Sequence, residues 1–180
     1  VRNAFLVFGT LCLAAALVFV IAVWRGDSTF GIASLWQRLA GPADLGPVDF
    51  AAIIRSPTGN DALICPPDLC GATRTDGVAP VFLVPAARLR DAVRAIEADD
   101  PDVFALASGG APEQDRYLAR TRLMRFPDTV NVRFIELGGG RSTLALYSRS
   151  QIGRSDFGAN KARLAGWIRL LRAALPVANP

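Results

Sequence analysis

One apolar run limits what this chain can fold into more than any other feature. "AFLVFGTLCLAAALVFVIAVW" (Ala4–Trp24) contains no charged side chain. As a helix it covers roughly 30 Å, the thickness of a bilayer's hydrocarbon core. The run predicts a transmembrane helix in contact with the lipid bilayer along Ala4–Trp24. A cleaved signal peptide has an apolar region of only about 7–15 residues and a small-residue cleavage site. This run is longer and ends in "VWRGDS". Residues 1–24 are therefore read as an uncleaved anchor, residues 25–47 as an interfacial helix and linker, and residues 48–176 as a globular domain.

Charge and cysteine usage suggest an orientation. The N-terminal amine and Arg2 precede the span, while Arg25 after it is partly offset by Asp27. The positive-inside rule then favours a cytoplasmic N-terminus. Cys65 and Cys70 sit in "CPPDLC" beyond the span, where an oxidising compartment would let them close a small disulfide loop; two unpaired thiols are the alternative. Zinc is a poor fit, because the chain has no histidine and no second cysteine pair. Cys12 lies in the span as a small apolar residue. The expectation is a single-pass protein of a bacterial inner membrane with a periplasmic domain.

The net charge of +4 does not imply nucleic acid as a partner. The cations are spread along the chain rather than clustered, and all but Lys161 are arginine. With so much alanine, this looks like the codon usage of a GC-rich genome. A solvated arginine-rich surface or attraction to anionic lipid headgroups accounts for the charge.

Periodicity predicts an α+β domain: an antiparallel sheet of four to five strands, one helix after the first strand and a long C-terminal helix. Ile32, Leu35, Trp36 and Leu39 fall at helical spacing, for a helix lying in the membrane interface or packing on the domain. Residues 48–77 read as an irregular wrap. Val81–Val84 reads as a short buried strand. The helix after it has Pro85 in its first turn and Leu89, Val93 and Ile96 on its apolar face. "EADDPD" lacks the spacing of a calcium loop and reads as a solvated turn. Strands are expected over Arg116–Phe126, Thr129–Leu137 and Ser142–Ser150, joined by turns at "PD" and "GGG". In the first, Leu118, Arg120, Arg122 and Met124 would share a face. Leu164, Trp167, Ile168, Leu171 and Leu175 form the core stripe of the last helix, and Pro176 ends it.

"ALYSRSQIGRSDFGANKARL" (residues 145–164) is the densest polar stretch. A structural reading has Ser155 or Asp156 capping the last helix and a polar staple joining it to the last strand. An anion-binding reading gathers Arg122, Ser148, Arg149, Ser150, Arg154 and Ser155 around that helix N-terminus. Asp156 opposes it by placing a carboxylate where the anion would sit. A catalytic reading would need Lys161 or Asp156 as base to a serine, and nothing in the spacing requires that. No cofactor, metal or catalytic residue is assigned.

The same stretch resembles the C-terminal signature of a bacterial and plastid family, domain of unknown function 1499, whose pattern runs roughly S-R-S-R-x-G-x-S-D-x-G-x-N-R-x-R. Ser148, Arg149, Ser150, Gly153, Ser155, Asp156, Gly158, Asn160 and Arg163 match. Gln151 and Lys161 stand where arginine is usual, and Arg154 where an aromatic is common. "CPPDLC" resembles the family's cysteine-proline segment, and "RLMRFPDTVNVRFIEL" its central strand pair. The resemblance implies a small, often membrane-linked domain and no established chemistry. The expected role is a non-catalytic accessory or interaction module of a membrane-associated complex, with a membrane-protein partner. The alternatives are a binding module for an anionic lipid or metabolite and an enzyme of unfamiliar type.

Overall fold

The structure is a computed structural model that describes residues 2–107 and 112–178. Helix α1 (Arg2–Arg25) carries the apolar run and is long and apolar enough to be a membrane span or a signal sequence. Its large side chains, from Phe5 to Ile21, are exposed. Helix α2 (Ile32–Ala40) follows after a tight turn in which the Ala33 amide donates to the Gly26 carbonyl at 3.2 Å. Ile32 and Ala33 are buried, and the Trp36 ring lies 4.8 Å from that of Phe126.

The domain is α+β, as expected, but its sheet is larger than expected and mixed. The strands are β1 (Asp61–Cys65), β2 (Gly77–Val78), β3 (Val103–Leu106), β4 (Gln114–Arg120), β5 (Pro127–Gly138) and β6 (Arg141–Ser150). They lie in the order β2-β1-β6-β5-β4-β3. Among the described residues only β1 and β2 pair in parallel. Helix α3 (Ala86–Ala98) and helix α4 (Ala159–Ala174) complete it.

Three expectations are corrected. Residues 48–77 are not merely an irregular wrap: β1 pairs with β6 inside the sheet, and all its residues are buried. Val81–Val84 is not a strand, because only Phe82 bridges, to Ser142 and Val177. The strand expected over Arg116–Phe126 ends at Arg120, since Thr121–Phe126 turns back on itself. There the Arg125 amide donates to the Thr121 carbonyl and the Thr121 amide to the Phe126 carbonyl. Arg125 has φ +52°, which no strand accommodates, so Arg122 and Met124 leave the face of Leu118 and Arg120.

The two faces of the sheet are covered differently. Ala62, Ile64, Val130, Val132, Leu144 and Leu146 alternate onto one face and pack against Leu89 and Val93 of α3 and Leu164, Trp167 and Leu171 of α4. Each fully buried valine or leucine among them contributes about 1.5–3 kcal/mol. The other face, with Leu63, Ala145 and Tyr147, lies beneath Val48, Phe50, Ile53 and the Cys65–Cys70 segment. The chain from Ala43 to Val48 is tied down there: the Leu45 amide donates to Thr129 Oγ1 at 3.0 Å and Gln114 Nε2 donates to the Val48 carbonyl at 3.1 Å.

Candidate functional site

The serine-arginine stretch closes β6 and leads into α4. Side chains alternate along β6, so Ser148 and Ser150 face α4 while Arg149 points to the opposite face. Arg149 Nη2 donates to the Leu45 carbonyl at 2.6 Å, and its guanidinium lies 5.9 Å over the Tyr147 ring.

On the α4 side the polar groups close on one another. Ser148, fully buried, hydrogen-bonds Asn160 Oδ1. Arg163 Nη1 donates to both, at 2.9 Å to Ser148 Oγ and 2.7 Å to Asn160 Oδ1. Arg163 Nη2 pairs with buried Asp128 at 2.7 Å. Asn160 Nδ2 donates to the Asn60 carbonyl at 3.0 Å and to Ser150 Oγ at 2.9 Å. Asn60 Nδ2 in turn donates to the Gly153 carbonyl at 2.8 Å. Asn160, fully buried, therefore joins α4 to β6 and to the residue before β1.

Gly158 is the N-cap residue of α4, and the Asp156 carboxylate, two residues upstream, accepts from its first turn. The two oxygens of Asp156 accept from the Gly158 and Asn160 amides, each at 2.9 Å. Burial pushes its carboxyl pKa up, but these amide bonds outweigh burial and hold it below the ordinary value. Gly158 has φ +80°, a conformation in which a glycine avoids the Cβ penalty. Ser155 Oγ accepts from the Phe157 amide at 3.2 Å. Phe157 has φ +52° and is 98% exposed. Gln151 reaches the Ala40 carbonyl at 3.0 Å.

The six residues of the anion-binding reading thus lie in different surroundings. Ser148 and Ser150 are bonded inside the joint, Arg149 is on the other face, Arg122 is exposed on the turn after β4, and Arg154 and Ser155 are exposed.

Beside the joint is a cleft of about 480 Å³ lined by Arg55, Ser56, Asp61, Arg74, Asp76, Ser155, Asp156 and Lys161. Arg55 pairs with Asp61 at 2.7 Å and Asp76 at 2.9 Å. Asp61 also accepts from the Ser56 amide at 2.7 Å and the Tyr147 hydroxyl at 2.8 Å. Burial opposes its ionisation, yet Arg55, Ser56 and Tyr147 together hold its carboxyl below the ordinary range. Burial and the adjacent Asp61 push the Tyr147 hydroxyl well above its ordinary range. Arg74 and Lys161 are exposed at the rim.

Sequence reasoning missed Asn60, Arg55, Asp61 and Asp76, which belong to the segment read as irregular. The signal was "DALIC", a short β-prone run set between "PTGN" and "PPD". Cys65 and Cys70, in contrast, lie as expected at disulfide distance, with sulfurs 1.93 Å apart.

The cleft shares an end of the sheet with the exit of α1. The pairs Asp61–Arg149, Asp128–Ser150 and Arg120–Pro127 all lie at that end. There Asp27, just past α1, is ion-paired with Arg125 and, at 3.3 Å, with Arg120.

An α+β domain behind an apolar helix, its last strand stapled to its last helix by buried polar side chains, defines the class. The family model described as "Protein of unknown function (DUF1499)" matches residues 66–171, and the chain belongs to that family. The serine-arginine signature falls within the match; α1, α2 and β1 precede it. No curated protein and no solved structure matches the chain.

Proposed function

We propose that the protein is a single-pass protein of a bacterial inner membrane whose periplasmic domain is a non-catalytic accessory or interaction module of a membrane-associated complex. The observation that carries this reading is the clamp at the exit of α1. Arg125 bridges Asp27, next to the anchor, and Asp102, which precedes β3. A domain clamped to its anchor presents its surface at a fixed attitude to a neighbouring membrane protein. The inward bonding of Ser148, Ser150, Asn160 and Arg163 supports a structural use of the family signature. Cys65 and Cys70 at disulfide distance support an oxidising compartment. The test is native mass spectrometry of the full-length protein, extracted from its own membrane in mild detergent. The expected result is a stoichiometric co-purifying membrane polypeptide; a bare monomer under gentle extraction contradicts the reading.

The cleft favours a second reading, a site for an anionic metabolite in which Arg74, Lys161 and Ser155 meet the ligand. Thermal shift across phosphorylated and carboxylate metabolites tests it. The expected stabilisation is lost in Arg74→Gln and Lys161→Gln; an equal response from these variants rejects it.

A further inference from the structure

We propose that the face of the domain around the exit of α1 is a lipid-contact surface, seated among the headgroups of an anionic membrane. The inference rests on reading α1 as a membrane span and adds the domain's own contact with the bilayer. Asp27 is ion-paired with Arg120 and Arg125, which brings the Thr121–Phe126 turn within one side-chain length of the point where α1 ends. Trp36 fixes the same turn from α2: its Nε1 donates to the Met124 carbonyl at 2.6 Å while its ring lies against Phe126. The headgroup layer is about 5–7 Å deep on each side of the hydrocarbon, so a turn held this close to the helix exit lies within it.

What this face exposes fits that layer. Trp24 is 87% exposed, Phe30 67% and Leu123 69%. These three come from the end of α1, the α1–α2 turn and the turn after β4. Large apolar side chains exposed on separate segments, gathered by ion pairing and stacking, suit partial insertion, and tryptophan in particular favours the interface. Arg25, Arg38 and Arg122 are exposed there too, Arg38 sharing a shallow groove with Asp27 and Arg120. The neighbouring carboxylates Asp27 and Asp102 are both engaged by Arg125. Arg25, Arg38 and Arg122 therefore present positive charge to an anionic surface.

The test uses full-length protein with Cys12→Ala, reconstituted in phosphatidylcholine vesicles with and without phosphatidylglycerol. An environment-sensitive fluorophore is placed at Leu123→Cys, at Phe30→Cys or, at the far end of the sheet, at Val78→Cys. The expected result is blue-shifted emission and quenching by headgroup-labelled lipid at positions 123 and 30, with neither at position 78. Phosphatidylglycerol deepens the quenching at position 123, and replacing Arg25, Arg38 and Arg122 together with glutamine abolishes that increase. A probe at position 123 as water-exposed as at position 78, or indifferent to the anionic lipid, overturns the proposal while leaving the span reading intact. Release of the protein from vesicles by alkaline carbonate overturns the span reading and this surface with it.

Discussion

Asp27 and Arg125 are 98 residues apart in sequence and ion-paired in the structure, across the junction between the apolar helix and the domain. Arg125 makes the contact from a left-handed backbone conformation, φ +52°, which costs a non-glycine residue roughly 1–2 kcal/mol. The strain points its guanidinium at both Asp27 and Asp102. Arg125→Ala relieves none of the strain and leaves both carboxylates without their shared cation. It is expected to destabilise the full-length protein by about 1–2 kcal/mol, because both carboxylates left behind are partly exposed and Asp27 keeps Arg120. It also makes the 26–31 turn more sensitive to limited proteolysis. Asp27→Asn has a smaller effect on stability, because Asp27 is partly exposed, and a similar effect on the turn. An unchanged cleavage pattern in both variants contradicts the clamp.

Asn160 is the centre of the strand-to-helix joint. Asn160→Ala leaves Ser148, Arg163 and the Asn60 carbonyl short of partners in a buried site, at a cost of about 3 kcal/mol in chemical denaturation. Asn160→Asp keeps the shape but removes both amide donors, and is expected to destabilise the fold comparably. Full stability of either variant would show that the joint does not hold α4 to the sheet.

Acid should weaken the fold in a defined direction. Asp44, Asp61, Asp115 and Asp156 all have carboxyls held below the ordinary carboxylate value in the folded protein. For Asp44 the leading cause is its bond from Arg116; for the others burial is outweighed by arginine or amide bonds. A depressed folded pKa gives stability that is complete above the unfolded value of about 4 and is lost as pH falls through the folded value. The melting temperature is therefore expected to be flat near neutrality and to drop below about pH 4. Asp61→Asn lowers stability at neutral pH and makes the acid slope shallower. An acid slope in that variant equal to the wild type's contradicts the assignment.

Phe157 lies between the cleft-lining residues Asp156 and Gly158 in sequence and is almost wholly exposed and left-handed. Its side chain gains nothing from burial, so Phe157→Gly is expected to stabilise the protein by about 1 kcal/mol. A loss of stability would mean that the ring packs against something.

Closing the Cys65–Cys70 loop should contribute about 2 kcal/mol by the chain-entropy relation for so short a loop. Denaturation with and without a reductant measures it. Identical midpoints would show that the pair does not stabilise the domain.

The long periodic elements were legible in the sequence. α1 declared itself by its unbroken apolar length; α3, α4, β5 and β6 each carry enough turns or alternations to declare their period, and their apolar faces are the faces that pack. β1 and β2 were not. β1 is five residues, buried throughout, so no alternation marks it, and β2 is two residues that exist only as a partner to β1. The end of β4 was hidden because "RTRLMRF" holds no glycine, proline or asparagine to mark a turn, while Arg125 turns back. At the site, the capping role of Asp156 and a strand-to-helix staple were readable from spacing. Its link to Asn60 was not, because that contact joins residues 100 apart and depends on a strand whose presence the sequence did not announce.

Protease protection tests the membrane-anchored reading most directly. Sealed right-side-out vesicles from the native membrane are treated with trypsin, before and after alkaline washing. The full-length chain is expected to resist the wash, and trypsin cutting from the outer side to remove the domain. What remains protected is a peptide ending at Arg25. A domain that survives in right-side-out vesicles and is cut only in inverted ones, or a chain released by the wash, contradicts it.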